Sequence, residues 1–538
     1  MSDDRAPAAA GLEPGRPWPT FASVARQSVA LMPVLLLARV ADLAKFMVIA
    51  RAFGASAVMD AFFVASSIPF GLSSLVESTA EQGFVALGTG ARAEKEGSDW
   101  TLQAVLLQLA VLTFCLIAAL YLLCADSVVA LVGRGLSPAA RVAAARLTQL
   151  LAPILLLSPV FGLLTGFHYA RGHYVCRTLT PAIGAVVLAL CLWWLRGRMG
   201  IHGLAIAYSA AYVVQVGLLL PLFWNLRRHR TPLPHPLSHY GGTAIRFLLP
   251  MLAVSAFTNM NLIVDRAVAS FLPPGAISYV DYANRLGNMF CNLVVGTFVM
   301  VFYPFLARQA AVFDATVVAG GTEKALRAVS LVMVPTLAIA AWMRVPTVRL
   351  LFERGAFTHA DSLATGAAFA ALAPGLLFLS LNTVLIRGFY SLHDSHMPML
   401  AATASVVPNF LLDILLARYW SFVGIAAATS AVQALMFLML AWLFQRQHAP
   451  LRLRPLACGG ARMMLAAAVS IASVQGLLWC ARDSAAAEEA GLATVAAILL
   501  AALIYVTAAS ALGVRECQRL LAWCMALATG PTMGTTRK

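Results

Sequence analysis

Charged side chains are scarce in this 538-residue sequence: Asp, Glu, Lys and Arg make up 11% of it, against 61% hydrophobic residues. An ordinary soluble protein has about a quarter of its residues charged, so the composition excludes that class. Enzyme motifs are missing too, because no G-x-x-x-x-G-K-[ST], G-x-S-x-G or H-E-x-x-H pattern occurs. The segments between apolar stretches are too short to fold alone. These absences argue against an enzyme and favour a transporter.

Two further kinds of site are absent. Nine cysteines, an odd number with no C-x-x-C pair, indicate neither a disulfide framework nor a zinc site. The net charge of +15 comes from Lys and Arg scattered over many short segments, without a basic patch interleaved with aromatic residues. Such scattering suits lipid headgroups, so we expect membrane lipids and no nucleic acid as partners.

Long apolar segments are abundant instead. Windows of 18 to 30 mostly apolar residues recur along the chain, and the mean hydropathy is +0.82. The sequence predicts an all-α polytopic membrane protein of about 14 transmembrane helices, since roughly 20 apolar residues cross a bilayer. With the N-terminus inside, the inner connections hold about twice as many Lys and Arg as the outer ones. Both termini are therefore expected in the cytoplasm.

Part of the sequence is duplicated. A duplication of this size predicts two six-helix lobes of like orientation, related by a pseudo-twofold axis along the membrane normal, with two extra C-terminal helices. We expect packing and turns where the copies agree. Three motifs recur at offsets of 220 to 222 residues: Arg134-Gly135 and Arg354-Gly355, Leu151-Ala152-Pro153 and Leu372-Ala373-Pro374, Gly166-Phe167 and Gly388-Phe389.

The spans and their connections predict the domain organisation. No large soluble domain is expected, because the longest connections are too short to bury a core. The predicted parts are a disordered N-terminus (1–27), an N-lobe (28–226), a cytoplasmic linker (227–244), a C-lobe (245–444), a cytoplasmic loop (445–460), two final helices (461–513) and a cytoplasmic tail (514–538).

Charges inside the predicted helices are the candidate functional residues, since each costs several kcal/mol unless it is paired or faces water. The first helix carries Arg39, Asp42 and Lys45, and the second begins with Asp60. A self-neutralising ladder and a polar wall of a central cavity both fit this spacing. Two further helices have polar stripes on one face, at Ser73, Glu77 and Glu81 and at Asp281, Arg285 and Asn288.

A second set of polar residues lies further along the chain. Asn409 and Asp413 are one helical turn apart, Thr429 follows, and Asp265 precedes them. Two carboxylates, an amide and a hydroxyl are oxygen ligands that suit a hard cation. An ion pair between Asp265 and the adjacent Arg266 is the alternative.

Several runs resemble the MurJ/MviN family of lipid II flippases, part of the multidrug/oligosaccharidyl-lipid/polysaccharide exporter superfamily. The matches extend from about residue 28 to residue 440, and the final two helices agree in hydropathy only. The runs are Leu351-Phe352-Glu353-Arg354-Gly355-Ala356-Phe357-Thr358, Arg51-Ala52-Phe53-Gly54, Asp60-Ala61-Phe62-Phe63-Val64-Ala65, Val264-Asp265-Arg266-Ala267-Val268-Ala269-Ser270, Tyr282-Ala283-Asn284-Arg285-Leu286 and Gly388-Phe389-Tyr390-Ser391.

The resemblance implies two six-helix lobes around a central cavity in the bacterial inner membrane. It implies a flippase for peptidoglycan biosynthesis, hence for the cell wall and cell shape, which moves an undecaprenyl-pyrophosphate-linked glycan to the outer leaflet by alternating access. A lipid-linked glycan is then the substrate, with no cofactor other than sodium as a coupling ion, and we expect a monomer. By position, the resemblance places Arg39, Lys45, Asp60, Ser278 and Arg285 in the cavity, and Asp265, Asn409, Asp413 and Thr429 at the sodium ion.

The sequence departs from the family pattern at three points. No arginine follows Pro69, where the family has one or two. Lys45 stands in place of an arginine, and Asn288 in place of an acidic residue. Lysine keeps the charge but loses the bidentate fork that suits phosphate. Lipid II is therefore our first expectation for the cargo, and the alternatives are another lipid-linked glycan, such as an exopolysaccharide or O-antigen unit, and a small-molecule antiporter of the superfamily.

Overall fold

The computed structural model describes residues 21–86, 99–170, 174–225, 256–296, 298, 302, 306, 315–480, 490–514 and 516–518. Every regular element within these ranges is a helix. The chain divides into two compact units, Met1–Pro274 and Gly275–Lys538.

The first unit contains nine described helices. Its core lies around α2, which packs against α5 and α6, and α6 in turn packs against α8. The helices are α1 (Phe21–Phe53), α2 (Ala57–Ala86), α3 (Asp99–Leu123), α4 (Ala125–Val132), α5 (Pro138–Leu151), α6 (Ile154–Ala170), α7 (Tyr174–Met199), α8 (Ile201–Asn225) and α9 (256–269).

Two pairs of helices in this unit are bent. The α3–α4 pair bends by 74° and the α5–α6 pair by 43°. The second bend falls at Ala152-Pro153, where proline removes a backbone donor and disfavours helical geometry in the residue before it. Helix α5 starts cleanly because the Ser137 hydroxyl accepts a bond from Ala140 N–H and Pro138 occupies the first turn.

The second unit contains seven described α-helices and one π-helical turn, Asn292–Gly296, after the first of them. Helix α13 packs against both α11 and α14. The helices are α10 (Ala276–Cys291), α11 (Ala315–Trp342), α12 (Arg344–Phe352), α13 (His359–Ser391), α14 (His396–Gln447), α15 (Leu453–Cys480) and α16 (Ala490–Ala511).

Helix α14 is 52 residues long but is interrupted near its middle. Ser421 has φ 52° and ψ −136°, which is not helical, so two helical segments meet there. The sequence predicts two separate spans for this stretch, 397–417 and 421–444, and the interruption lies at the start of the second.

Many of these helices could cross a membrane. Within the described ranges eight are long and apolar enough, or ten if each bent pair forms one span. The prediction of an all-α polytopic membrane protein is confirmed, whereas the count of 14 stays a prediction. Helix α1 begins at Phe21, earlier than expected, since neither proline nor glycine interrupts the sequence between Pro19 and Pro33.

The predicted domain limits also remain predictions. The linker predicted at 227–244 lies outside the described residues, as do residues 1–20 and most of the tail predicted at 514–538. Helix α9, which the sequence assigns to the C-lobe, belongs to the first compact unit.

The duplicated motifs occupy equivalent places in the two units. Phe167 and Phe389 are both fully buried, and Phe389 packs edge-on against Phe444. Gly135 lies in the loop before α5, where a Cβ would come within 2.4 Å of the carbonyl oxygen of Ser270. Gly355 lies in the loop before α13 with φ +64°, a conformation that favours glycine. The copies agree where packing or a turn requires them to.

Candidate functional site

The two cations predicted on α1 have different surroundings. The Lys45 ammonium lies 2.5 Å from Asp42 Oδ1, one turn away on the same helix, and 4.5 Å from the centre of the Phe46 ring. Arg39 is half-buried and makes no ion pair with any residue of the described ranges. The ladder expected from the spacing therefore exists for Lys45 and Asp42 but leaves Arg39 out.

Asp60 is one of the most buried carboxylates of the first unit, with 2% of its surface exposed. It lies in the first turn of α2, where the helix dipole stabilises a negative charge. The adjoining segment is apolar and closely packed, since Ala61, Phe62 and Phe63 are all fully buried.

The turn of α2 after Pro69 is occupied by hydroxyl groups. Ser73 Oγ donates to the carbonyl oxygen of Pro69 at 2.8 Å and lies 2.5 Å from Ser158 Oγ on α6. Ser74 Oγ is 3.0 Å from Asn259 Oδ1 on α9. Ser73 is thus an interhelical packing contact rather than part of an exposed polar stripe. The side chains of Glu77 and Glu81 lie outside the described part of the chain.

Arg266 has a role that sequence analysis missed. It is 5% exposed, and its Nη1 donates to the carbonyl oxygen of Phe63 at 3.0 Å and to Ser67 Oγ at 2.9 Å. The guanidinium also lies 5.7 Å from the centre of the Phe63 ring. Arg266 therefore joins α9 to α2 within the first unit. The only hint in the sequence was the Ser66-Ser67 pair in the apolar α2, since hydroxyl groups there indicate a polar partner.

The candidates of the second unit lie on α10. Ser278 is completely buried in the first turn of the helix, and Asp281 is also buried. Arg285 Nη2 lies 3.4 Å from Asp281 Oδ2, with Arg285 about one-fifth exposed. Asn288, three residues beyond Arg285 on the same stripe, is exposed. The stripe runs from a buried carboxylate to an exposed amide, with the arginine half-buried between them.

The predicted cation ligands lie on α14 of the second unit and on α9 of the first. Asn409 Nδ2 donates to Asp413 Oδ2 at 3.0 Å, and both residues are buried in α14. Thr429 lies beyond the interruption at Ser421 and donates to the carbonyl oxygen of Ile425. Asp265 is buried in α9 of the first unit. No group of three or more His, Cys, Asp or Glu that could hold a metal occurs among the described residues. The predicted cation set has only two residues of these four types, Asp265 and Asp413, so this absence does not apply to it.

The loop between α12 and α13, which carries the Phe-Glu-Arg-Gly-Ala-Phe-Thr run, is held by a polar network. Glu353 Oε2 accepts a bond from Ser362 Oγ at 2.7 Å and lies 3.2 Å from both Arg349 Nε and His359 Nδ1. Burial tends to raise the pKa of Glu353, but the Ser362 and His359 hydrogen bonds and the Arg349 charge together lower it. The run is therefore a structural element in this chain.

The same loop caps the following helix. Thr358 and Asp361 form a reciprocal capping box at the start of α13, and Tyr279 Oη donates to Asp361 Oδ1 at 3.2 Å. These bonds attach α10, the helix of Arg285, to α13.

Comparison with known sequences identifies relatives along most of the chain. The family model described as "Lipid II flippase MurJ" matches residues 49–511. A protein of Vibrio cholerae named "Probable lipid II flippase MurJ" is 28% identical over 440 residues, which cover 79% of this chain and 82% of that protein. "Lipid II flippase MurJ" of Burkholderia cenocepacia is 26% identical over 69% of this chain and 74% of its own length.

Solved structures show the same fold. "Lipid II flippase MurJ, inward closed conformation" aligns with a TM-score of 0.74 at 19% identity, over 90% of this chain and 98% of that one. A multidrug resistance MATE family transporter of the MOP superfamily, in an inward-facing conformation, aligns with a TM-score of 0.63 at 12% identity, over 78% of this chain. At these identities the structures support the fold alone, whereas the family model matches residues 49–511, more than half of the chain. The chain belongs to the lipid II flippase MurJ family.

Proposed function

We propose that this protein is a transporter, not an enzyme, that moves an undecaprenyl-pyrophosphate-linked glycan from the inner to the outer leaflet by alternating access, with lipid II as the first candidate cargo. The observation that carries the proposal is the family match over residues 49–511. We place the protein in the bacterial inner membrane as a multi-pass monomer, with both termini in the cytoplasm, and its partners are the lipid-linked substrate and membrane lipids.

In this proposal Arg39, Lys45 and Arg285 bind the pyrophosphate. A guanidinium can grip phosphate oxygens bidentately, whereas the lysine acts as a point charge. Asp60 and Ser278 complete the polar lining. Both arginines are half-buried, so they combine partial desolvation with access to a ligand.

The first test is complementation. The host lipid II flippase is depleted in cells that express this chain, and growth and cell shape are recorded. Restored growth is the expected result. An Arg39→Ala variant that inserts normally but fails to restore growth would show that rescue depends on the proposed site. The matched control is Arg198→Ala, because Arg198 is exposed and stacks on Trp194. Failure of well-inserted wild-type protein would contradict lipid II as the cargo.

One observation favours a different lipid-linked glycan. The family places arginine after Pro69, but here Ser73 and Ser74 occupy that turn and bond to Ser158 and Asn259 within the same unit. The pyrophosphate is thus left with fewer cations. If complementation fails, the chain should be tested in vesicles with exopolysaccharide or O-antigen lipid precursors, and transport of one of them would support this alternative.

We also propose sodium as the coupling ion, bound by Asp265, Asn409, Asp413 and Thr429. The support is the buried Asn409–Asp413 pair, whose oxygens suit a hard cation. Asp413→Asn should weaken the sodium dependence of transport in vesicles, while Asp126→Asn, at an exposed position on α4, should leave it unchanged. Wild-type transport that is indifferent to sodium would contradict the proposal.

A further inference from the structure

A cavity of about 220 Å³ lies in the second unit, at one end of α11, α15 and α16. Its polar lining consists of Arg327, Ser330, Arg462 and Glu516. This volume is below the roughly 300–1,000 Å³ of typical small-molecule sites, so the cavity suits a compact headgroup. The residues proposed for transport are not part of its lining.

Arg327 has unfilled hydrogen-bonding capacity. Its Nη2 lies 3.6 Å from Glu323 and its Nη1 lies 3.9 Å from Glu516, both too long for hydrogen bonds. Its Nε–H is buried and has no acceptor within the described part of the chain. A buried donor without an acceptor is costly, and a bound anion would satisfy it.

Arg462 lines the same cavity, and its guanidinium makes only a weak hydrogen-bond contact there. Its Nη1 is 3.4 Å from the carbonyl oxygen of Gly513, a contact at the limit of hydrogen bonding. The neighbouring Gly459 and Gly460 expose the backbone of α15, and a Cβ added at either would meet open space. A ligand can therefore approach the helix closely.

The position of the cavity corresponds to the surface of the apolar layer. Helix α15 begins at Leu453 and α16 ends at Ala511, so the neighbouring ends of this pair line it. On α11, the charged residues end at Arg327 and an apolar stretch follows from 328 to 342. Lipid headgroups occupy this depth in a bilayer.

The cavity carries charges of both signs. Two arginines suit a phosphate, but Glu516 would repel a purely anionic headgroup. We propose that this cavity binds the zwitterionic phosphoethanolamine headgroup of a bilayer phospholipid, with the phosphate on Arg327 and Arg462 and the ammonium on Glu516. The site is separate from the proposed transport function.

The proposal can be tested by native mass spectrometry of the purified full-length protein with added phosphatidylethanolamine, phosphatidylglycerol or soluble phosphoethanolamine. Wild-type protein should retain phosphatidylethanolamine above phosphatidylglycerol. Arg462→Gln should reduce that retention by about tenfold, the scale of one lost hydrogen bond to a charged group. Arg454→Gln should have no effect, because Arg454 is exposed on the first turn of α15 and does not line the cavity.

Two further variants complete the experiment. Glu516→Gln should narrow the preference for phosphatidylethanolamine over phosphatidylglycerol, since the ammonium loses its partner. Arg327→Gln should act as Arg462→Gln does; if it unfolds in a thermal melt, Arg462→Gln alone decides the result. Equal losses in Arg462→Gln and Arg454→Gln would overturn the proposal. So would tighter binding of phosphatidylglycerol, or full displacement of the lipid by soluble phosphoethanolamine.

Discussion

The ammonium of Lys45 lies 2.5 Å from Asp42 Oδ1, so the cation that replaces a family arginine is already paired within its own helix. Asp42 is about half exposed, whereas Lys45 is mostly covered and also lies against Phe46. The pair reduces the positive charge available to a phosphate. It also explains how a charge can be kept in an apolar helix at modest cost.

Removing the carboxylate should strengthen anion binding. Asp42→Asn removes the carboxylate that pairs with Lys45. A partly exposed ion pair contributes about 1 kcal/mol or less, so we expect the affinity for lipid II in nanodiscs to rise about two- to fivefold at low salt. Asp126→Asn, an exposed change on α4, should not alter the affinity. Weaker binding in Asp42→Asn would instead show that the carboxylate positions the lysine.

Arg285 should be essential for transport. Arg285→Ala removes a charge-assisted phosphate contact, so transport into vesicles should fall by at least about tenfold. The change also removes the ion pair between Arg285 and Asp281, so folding has to be checked separately. Arg285→Lys keeps the charge but not the bidentate fork, so it should insert normally and show intermediate transport. Full transport in a well-folded Arg285→Ala protein would exclude Arg285 from the site.

The loop network around Glu353 should make stability depend on pH. The pKa of Glu353 is lowered in the folded protein, so its stabilising contribution is complete above the unfolded value of about 4.3 and is lost as the pH falls through the lower folded value. Glu353→Gln should therefore lower the Tm at pH 7, and the difference from wild type should close as the pH falls below about 4. Thermal melts from pH 7 to pH 3 measure this.

The same melts provide a control for the Glu353 network. Ser362→Ala keeps the carboxylate but removes its 2.7 Å hydrogen bond, so this variant should show a smaller loss of Tm at pH 7. A constant difference between wild type and Glu353→Gln at every pH would contradict the role assigned to ionised Glu353.

Close packing of α13 against α14 should be sensitive to a single methyl group. A Cβ on Gly375 would come within 2.6 Å of Ser430 Cα, so Gly375→Ala should cost about 1–3 kcal/mol of stability. The matched control is Gly476→Ala on α15, where a Cβ meets open space and alanine favours the helix. Equal melting temperatures for the two variants would contradict this packing.

Some features of the site followed from spacing along one helix. The pairs Lys45–Asp42, Arg285–Asp281 and Asn409–Asp413 are three or four residues apart, so the helical period alone brings each pair together. Burial could not be predicted in the same way. The stripe that begins at Ser73 has the right period for an exposed polar face, yet Ser73 packs against Ser158 because α6 covers that side of α2.

Contacts between helices that are far apart in the sequence could not be predicted either. An ion pair with Asp265, its neighbour in sequence, was only one alternative for Arg266, and nothing in the sequence predicted that its Nη1 bonds to Phe63 and Ser67, about 200 residues away. A single sequence without an alignment contains no signal for such a pair beyond the presence of hydroxyl groups in an apolar helix. Bends such as that at Pro153, which divides one apolar segment into two helices, also could not be predicted from hydropathy, and the count of 14 spans stays a prediction.

Composition, apolar length and the repeat established the class of protein, because a bilayer requires long apolar helices whatever their mutual packing. The resemblance of short motifs indicated the family. Tertiary packing then determined the role of each charged residue. Lys45 is paired with Asp42, Arg266 joins two helices, and the buried Nε–H of Arg327 at a cavity has no acceptor within the described ranges. The physical reason is that the partition of a long segment into a bilayer depends on its composition, whereas the role of a charge depends on which atoms lie within about 4 Å of it.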